Sequence, residues 1–158
     1  MKTRFPDARF GFGYDIHRLE PNRKLVLGGV HIPSPFGLMG HSDADVLLHA
    51  ICDSLLGATA LGDIGQHFPN TDRRYKNISS VMLLRHVARL VKKNGFELVN
   101  LDSTVVLEEP KIVRFVPAMR RIIAQSLGVS LKQVSVKATT NEGLGHLGRG
   151  SGCAAYAV

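Results

Sequence analysis

A chain of 158 residues, 44% hydrophobic and 21% charged, is one domain's worth of ordinary globular composition. No apolar run approaches the roughly 20 residues that cross a bilayer, so a membrane partner is not expected. The formal charge of +7 is dispersed over Arg73-Arg74, Lys92-Lys93 and Arg120-Arg121. With three tyrosines and no tryptophan a base-stacking surface for nucleic acid is poorly supplied, whereas positive potential suits a small anionic substrate.

The N-terminal M-K-T-R-F-P-D-A-R-F has basic residues with no apolar core after them, so it does not read as a secretory signal. The two cysteines, Cys52 and Cys153, point to a reducing compartment, with a single disulfide left open. Cytoplasm, or an organelle matrix after loss of a transit peptide, is the expected location.

Taken in chain order, residues ~9–19 read as a strand, with Phe10, Phe12 and Tyr14 alternating with Gly11, Gly13 and Asp15. Lys24–Ile32 reads as a second strand with a bulge or close approach at Gly28-Gly29, and residues 33–37 as a loop. A helix capped by Ser42 or Asp43 runs to about Gly57, burying Val46, Leu47, Ala50, Ile51, Leu55 and Leu56. Residues 61–77 form a polar, glycine-rich stretch too long for a plain connector. Ser79 or Ser80 caps a helix that closes at Gly95. Leu98–Leu107 is a strand, Pro117–Leu127 an amphipathic helix ending at Gly128, and Val134–Ala138 a strand. A glycine-rich turn and a short apolar strand, Cys153–Val158, finish the chain. The mixed order predicts one domain over residues 1–158: a sheet with helices on one face.

Three segments carry chemistry. On a strand, Asp15 and His17 share one face, and His49 sits on an otherwise apolar helix where a polar side chain needs a partner. An Asp/His/His set with one open position is the pattern of a catalytic zinc site. Each residue alone has a plainer reading: a turn aspartate, a surface histidine, a satisfied core histidine. His41, Asp45 and His49 are spaced to stack on one helical face, which makes Asp45 a candidate for orienting an imidazole. Cys52 is a core residue on this reading, although its sulfur is an alternative ligand. The second segment, Lys137-Ala138-Thr139-Thr140-Asn141-Glu142, leaves a strand and enters a glycine-rich turn. Its hydroxyls and backbone N–H groups suit phosphate oxygens, Glu142 a hard divalent cation, and Arg149 a phosphate clamp. The third holds Asp63, able to accept from sugar hydroxyls or simply to make a turn.

G-Y-D-I-H, G-H-S-D-A-D-V-L-L-H-A, L-G-D-I-G-Q-H-F-P and V-K-A-T-T-N-E-G-L-G-H-L-G-R-G occur in this order from Phe10 onward. Together they closely resemble the 2-C-methyl-D-erythritol 2,4-cyclodiphosphate synthase family of the non-mevalonate isoprenoid route. The resemblance implies an α/β (α+β) ferredoxin-like sandwich, assembled as a homotrimer with sites between subunits. It implies zinc on Asp15, His17 and His49, and magnesium or manganese on Glu142. His41 and Thr140 fall on positions acting at the reacting phosphates. Asp15, His17, Ser42, Asp63, Ile64, Gly65, Phe68, Asp72, Pro110, Lys111, Thr139, Asn141, His146 and Arg149 fall on further substrate-contacting positions. The sequence departs from the family at His146, where an aromatic residue is common, and at Ser151, where G-R-G-E-G has an acid. The implied reaction closes a ring on a cytidine diphosphate substrate and releases CMP. A metal-dependent phosphohydrolase using the same ligands, or a basic nucleic-acid-binding module, are the competing readings.

Overall fold

Residues 8–158 are described by a computed structural model of the chain; the reading of the first seven residues lies outside them. Alternation sets the first element. In β1 (Gly13–Pro21), Gly13, Asp15 and His17 turn inward while Tyr14, Ile16 and Arg18 face outward. The strand begins at Gly13 rather than near residue 9. Its ladder starts at Gly13 opposite Ala157, and the next residue, Val158, spends its N–H and C=O on Asp102 instead.

The expected strand over Lys24–Ile32 is instead a hairpin, β2 (Leu25–Leu27) with β3 (Val30–Ile32). Gly28 and Gly29, at φ +58° and +76°, are its two-residue turn and not a bulge; consecutive left-handed residues reverse a chain. The loop expected over 33–37 overlaps β4 (Phe36–Leu38), which pairs with the end of β1. Three residues behind two prolines are too few to show a period.

Helix α1 (Val46–Ala58) is capped by Asp45, whose carboxylate accepts the Leu48 N–H, and not by Ser42 or Asp43. It is buried almost all round, because it lies between the sheet and α3 (Ser80–Lys93). A short helix α2 (Ile64–His67) orders part of the long polar stretch. After α3, whose Leu83, Leu84, Val87 and Val91 face the core while Arg85 and Arg89 face water, come β5 (Leu101–Val106), α4 (Val116–Leu127), β6 (Val134–Thr139), the short α5 (Gly145–Gly148) and β7 (Gly152–Ala157). Gly128 closes α4 in the left-handed region, as expected.

The sheet order is β4-β1-β7-β5-β6. Only the β5/β6 pair is parallel, and α4 makes the crossover between them. Helices α1 and α4 pack against one face of the sheet and α3 packs on both of them, which is the mixed sheet with one-sided helices expected from the sequence. The other face presents Tyr14, Ile16 and Tyr156.

Two close approaches bring α1 onto β1. A Cβ at Gly11 would lie 1.9 Å from the Ser54 carbonyl oxygen, and one at Gly13 1.9 Å from that of Ala50. Only glycine permits a helix backbone to rest directly on the strand there. The glycines thus draw α1, and His49 with it, against Asp15 and His17.

Candidate metal centre and active site

Strand β1 supplies Asp15 and His17 on its inward face, and α1 supplies His49 one turn from its start. His17 Nε2 and His49 Nδ1 each lie 2.9 Å from Asp15 Oδ2 and 3.3 Å from each other. Among the described residues this is the group of three His, Cys, Asp or Glu side chains whose ligand atoms converge. One proton cannot serve three such contacts, and two ring nitrogens facing each other call for something positive between them. A tetrahedral ion with bonds of ~2.0–2.1 Å needs ligand separations of about 3.3 Å, so the donor set fits a divalent metal. Burial alone would raise the Asp15 pKa. The hydrogen bonds and positive charge of His17 and His49 outweigh it and hold the carboxyl well below the usual range. For His17 burial acts downward, and the Asp15 hydrogen bond and charge raise the net value.

The far side of His49 is also engaged. Its Nε2 is 2.9 Å from Ser80 Oγ and 3.2 Å from Ser42 Oγ. Asp43 accepts from the Ser80 N–H at 3.0 Å and from the Ser80 hydroxyl. From the sequence, Asp43 and Ser80 each read as one of two candidate helix caps. No local pattern joins residues 37 apart, so their place beside His49 was not readable.

Asp45 corrects an expectation. Its backbone oxygen accepts the His49 N–H at 3.0 Å, but its carboxylate is spent elsewhere and does not orient the imidazole, and His41 lies before the helix instead of on its face. The fully buried Asp45 carboxylate accepts from the N–H groups of Gly28 (3.0 Å), Gly29 (2.7 Å) and Leu48 (3.1 Å). It pins the β2–β3 hairpin to the start of α1. Burial pushes its pKa up to about 6, against those three donors. Cys52 is buried and its thiol is pushed far up by burial, consistent with a core residue.

The other candidates fall into separate groups. His41 stands in the loop before α1, its backbone oxygen accepting from Asn77 N–H, with its buried Nε2 unpartnered among the described residues. Asp63 caps α2 by accepting from Gln66 N–H at 2.9 Å, and Asp53 on α1 fixes the Ile64 N–H at 2.7 Å. Ile64 and Gly65 therefore hang from α1 through Asp53, one turn after His49. Phe68 is buried edge-on against Tyr75 and His86. Asp72 pairs with Arg74, whose guanidinium and N–H hold the carboxyl pKa down.

At the opposite edge of the sheet, Thr139 ends β6. Thr140 donates to Glu142 Oε1 at 2.6 Å, and Glu142 takes a left-handed φ of 52°. Glu108 accepts from Asn141 N–H at 2.6 Å, which ties this turn to the Glu108–Lys111 loop containing Pro110. His146 Nδ1 lies 3.4 Å from Arg149, and both side chains are exposed. Ladder register measures how far this turn is from the metal centre. Ile16 aligns with Ala154, Ala154 with Val106, and Val106 with Thr139. Three inter-strand steps separate the two groups by about 14 Å. One copy of the chain does not bring Thr140 and Glu142 to Asp15, His17 and His49.

The chain is 59% identical over 150 residues to 2-C-methyl-D-erythritol 2,4-cyclodiphosphate synthase of Syntrophomonas wolfei, covering 95% of this chain and 96% of that one. Identity to the enzyme of the same name from Chlorobium luteolum is 60%, with the same coverage. Among solved structures, the bifunctional IspDF of Campylobacter jejuni aligns with a TM-score of 0.92 and 43% identity, over 96% of this chain and 41% of that longer one. The IspF–CDP complex of Plasmodium falciparum aligns with a TM-score of 0.84 and 33% identity, over 97% and 94%. A family model described as the YgbB family matches residues 8–158; the chain belongs to the YgbB family.

Proposed function

We propose that this chain closes 4-diphosphocytidyl-2-C-methyl-D-erythritol 2-phosphate into 2-C-methyl-D-erythritol 2,4-cyclodiphosphate and releases CMP. The observation that carries the reading is the convergence of Asp15 Oδ2, His17 Nε2 and His49 Nδ1 on one point, in a chain 59–60% identical to synthases of that name.

In this reaction the 2-phosphate attacks the β-phosphorus of the same molecule. With a second pKa near ~6 the nucleophile is already largely ionised at neutral pH, so no strong base is required. The obstacle is charge: two unit anions ~4 Å apart repel by about 4 kcal/mol at an effective dielectric of 20. Asp15, His17 and His49 would hold zinc, and Glu142 magnesium or manganese, and these ions would supply positive charge to the phosphate oxygens. The protein's own residues do the rest. Asp15, His17 and His49 form a site of fixed shape, since all three stand on regular elements. His41 offers its unpartnered Nε2 and Ser42 its hydroxyl to the phosphates. The Asp63–Gly65 segment suits ribose hydroxyls, Phe68 and Asp72 belong to the methylerythritol end, and Pro110 with Lys111 to the cytosine. Thr139, Thr140 and Asn141 present hydroxyl and amide donors to the diphosphate; Thr140 then exchanges its bond to Glu142 for one to a phosphoryl oxygen. His146 and Arg149 add cationic capacity at the same turn. Folding the substrate so that its two ends meet supplies much of the rate.

A complete site takes two neighbouring copies, in keeping with a homotrimer. The ~14 Å between the two residue groups is far longer than a diphosphate, and the outward sheet face carries Phe12, Tyr14, Ile16 and Tyr156 together, with Tyr14 and Tyr156 rings 5.0 Å apart. A contiguous exposed apolar face of that kind marks a protein interface. The chain acts as one domain, and its two free, buried cysteines suit the cytoplasm or an organelle matrix. No helix among the described residues is long and apolar enough to cross a membrane.

Phosphorus NMR of the purified protein mixed with the cytidylyl substrate and magnesium tests the reading. The expected products are the cyclic diphosphate and CMP. A linear phosphate would replace ring closure with hydrolysis. Glu142→Gln is expected to raise the magnesium concentration needed for half-maximal turnover while leaving zinc content unchanged; an unaltered magnesium titration removes Glu142 from that role.

A further inference from the structure

His49 is held from behind as well as from in front. Its Nδ1 faces Asp15 Oδ2, and its Nε2 faces Ser80 Oγ at 2.9 Å. Ser80 is fully buried in the first turn of α3 and owns one hydroxyl hydrogen. The Asp43 carboxylate, which only accepts, receives both the Ser80 N–H and the Ser80 hydroxyl. Asp43 is itself anchored, its N–H donating to the Ile78 carbonyl at 3.1 Å. The direction of every bond in the chain is thereby determined. Ser80 donates to Asp43, so its oxygen accepts from His49, so Nε2 carries the hydrogen. That leaves Nδ1 with its lone pair directed at the point where Asp15 and His17 converge. Ser42 is compatible with this order: its oxygen accepts from Ala44 N–H at 3.1 Å and has a second lone pair for the same Nε2–H, 3.2 Å away.

We propose that Asp43 and Ser80 are positioning residues that set the tautomer and the aim of His49 as a metal ligand. The inference rests on the metal-centre reading above. It differs from a purely structural role, in which Asp43 and Ser80 only close the start of α3 against the 41–45 loop. That role makes no demand on the sense of the hydrogen bonds. Asp43→Asn separates the two. The amide oxygen must take the Ser80 N–H, since two donors cannot meet. The amide NH2 is then left facing Ser80 Oγ. The chain reverses, the Ser80 hydrogen turns to Nε2, and Nδ1 loses its free lone pair.

The test strips the purified protein of metal and titrates zinc against a chromophoric chelator. Asp43→Asn and Ser80→Ala are each expected to lose about 10–100-fold in zinc affinity. Ser79→Ala, one residue away and with no side-chain capping bond, is expected to match the wild type. In the zinc-loaded wild type, a nitrogen-correlated NMR spectrum should show a slowly exchanging His49 Nε2–H, lost to fast exchange in Ser80→Ala. Unfolding curves of the metal-free variants run alongside, and the wild-type resonance decides the matter even if neither variant folds. Wild-type zinc affinity in both variants, or no protected Nε2–H in the zinc-loaded protein, overturns the relay. Zinc binding that survives His49→Ala overturns the metal-centre reading instead, a separate failure.

Discussion

His49 is an imidazole with no spare nitrogen: one faces Asp15 and His17, the other Ser80. Truncation should therefore remove the metal without removing the fold, because α1 keeps its apolar surface. We expect His49→Ala to fall from stoichiometric zinc to none by elemental analysis, with near-complete loss of turnover and an unchanged circular dichroism spectrum. Asp45 behaves differently. Its pKa in the folded chain is about 6, above the ordinary 3.8, so its protonated form is favoured by folding. That contribution is in full below about pH 4 and is lost as pH rises through 6. In metal-free protein, the stability of the wild type relative to Asp45→Asn should shrink between those limits. The change should be on the order of 2–3 kcal/mol at ~1.4 kcal/mol per pKa unit. Denaturant unfolding of both proteins at pH 4 and pH 7 measures it, and Asp15 cancels in the difference. A gap that widens with pH contradicts the assignment, and a change in zinc content would restore Asp45 to the metal site.

At the level of elements, the site depends on how closely a helix can lie on a strand. Gly13 at the start of β1 and Gly11 just before it meet the α1 backbone itself, and a backbone cannot swing aside as a side chain can. Gly13→Ala is expected to cost about 3 kcal/mol or more, the upper end for overpacking, lowering the melting temperature by roughly 2–4 °C for each kcal/mol in a chain of this size. It should also weaken zinc binding, because pushing α1 outward separates His49 from Asp15 and His17. Calorimetry together with the zinc titration checks both. An unchanged zinc affinity in the destabilised variant would mean that the close approach serves packing alone. The hairpin is a second case of one element serving another. Gly28 and Gly29 reverse the chain so that their N–H groups point at Asp45, which in turn starts α1.

For the molecule as a whole, the outward sheet face and the split between the two residue groups make one argument. Phe12 is 65% exposed beside Tyr14, Ile16 and Tyr156, where a lone chain would leave apolar rings in water. A charge placed there should prevent assembly without disturbing the inward face. Phe12→Glu is expected to sediment as a monomer, to retain zinc at Asp15, His17 and His49, and to lose turnover. A monomeric variant with wild-type turnover would show that one copy suffices and would defeat the two-copy site.

Strand period alone placed Asp15 and His17 on one face, and the apolar surroundings of His49 marked it as needing a partner; side-chain identity and local spacing were enough to name the candidate ligand set. The caps and glycines bounding α3 and α4 were equally readable, since turn and cap chemistry acts over a few residues; the contacts of Gly11 and Gly13 with Ser54 and Ala50 were not. The tertiary structure decided what those residues meet. The Asp45 carboxylate went to a hairpin 16–17 residues away, Ser80 came to His49 across 31 residues, and β7 entered between β1 and β5, setting Thr140 and Glu142 apart from Asp15, His17 and His49. Periodicity tells a side chain which face to take, but strand order and long-range hydrogen bonds depend on which segments pack together, and that is settled only when the whole core is buried at once.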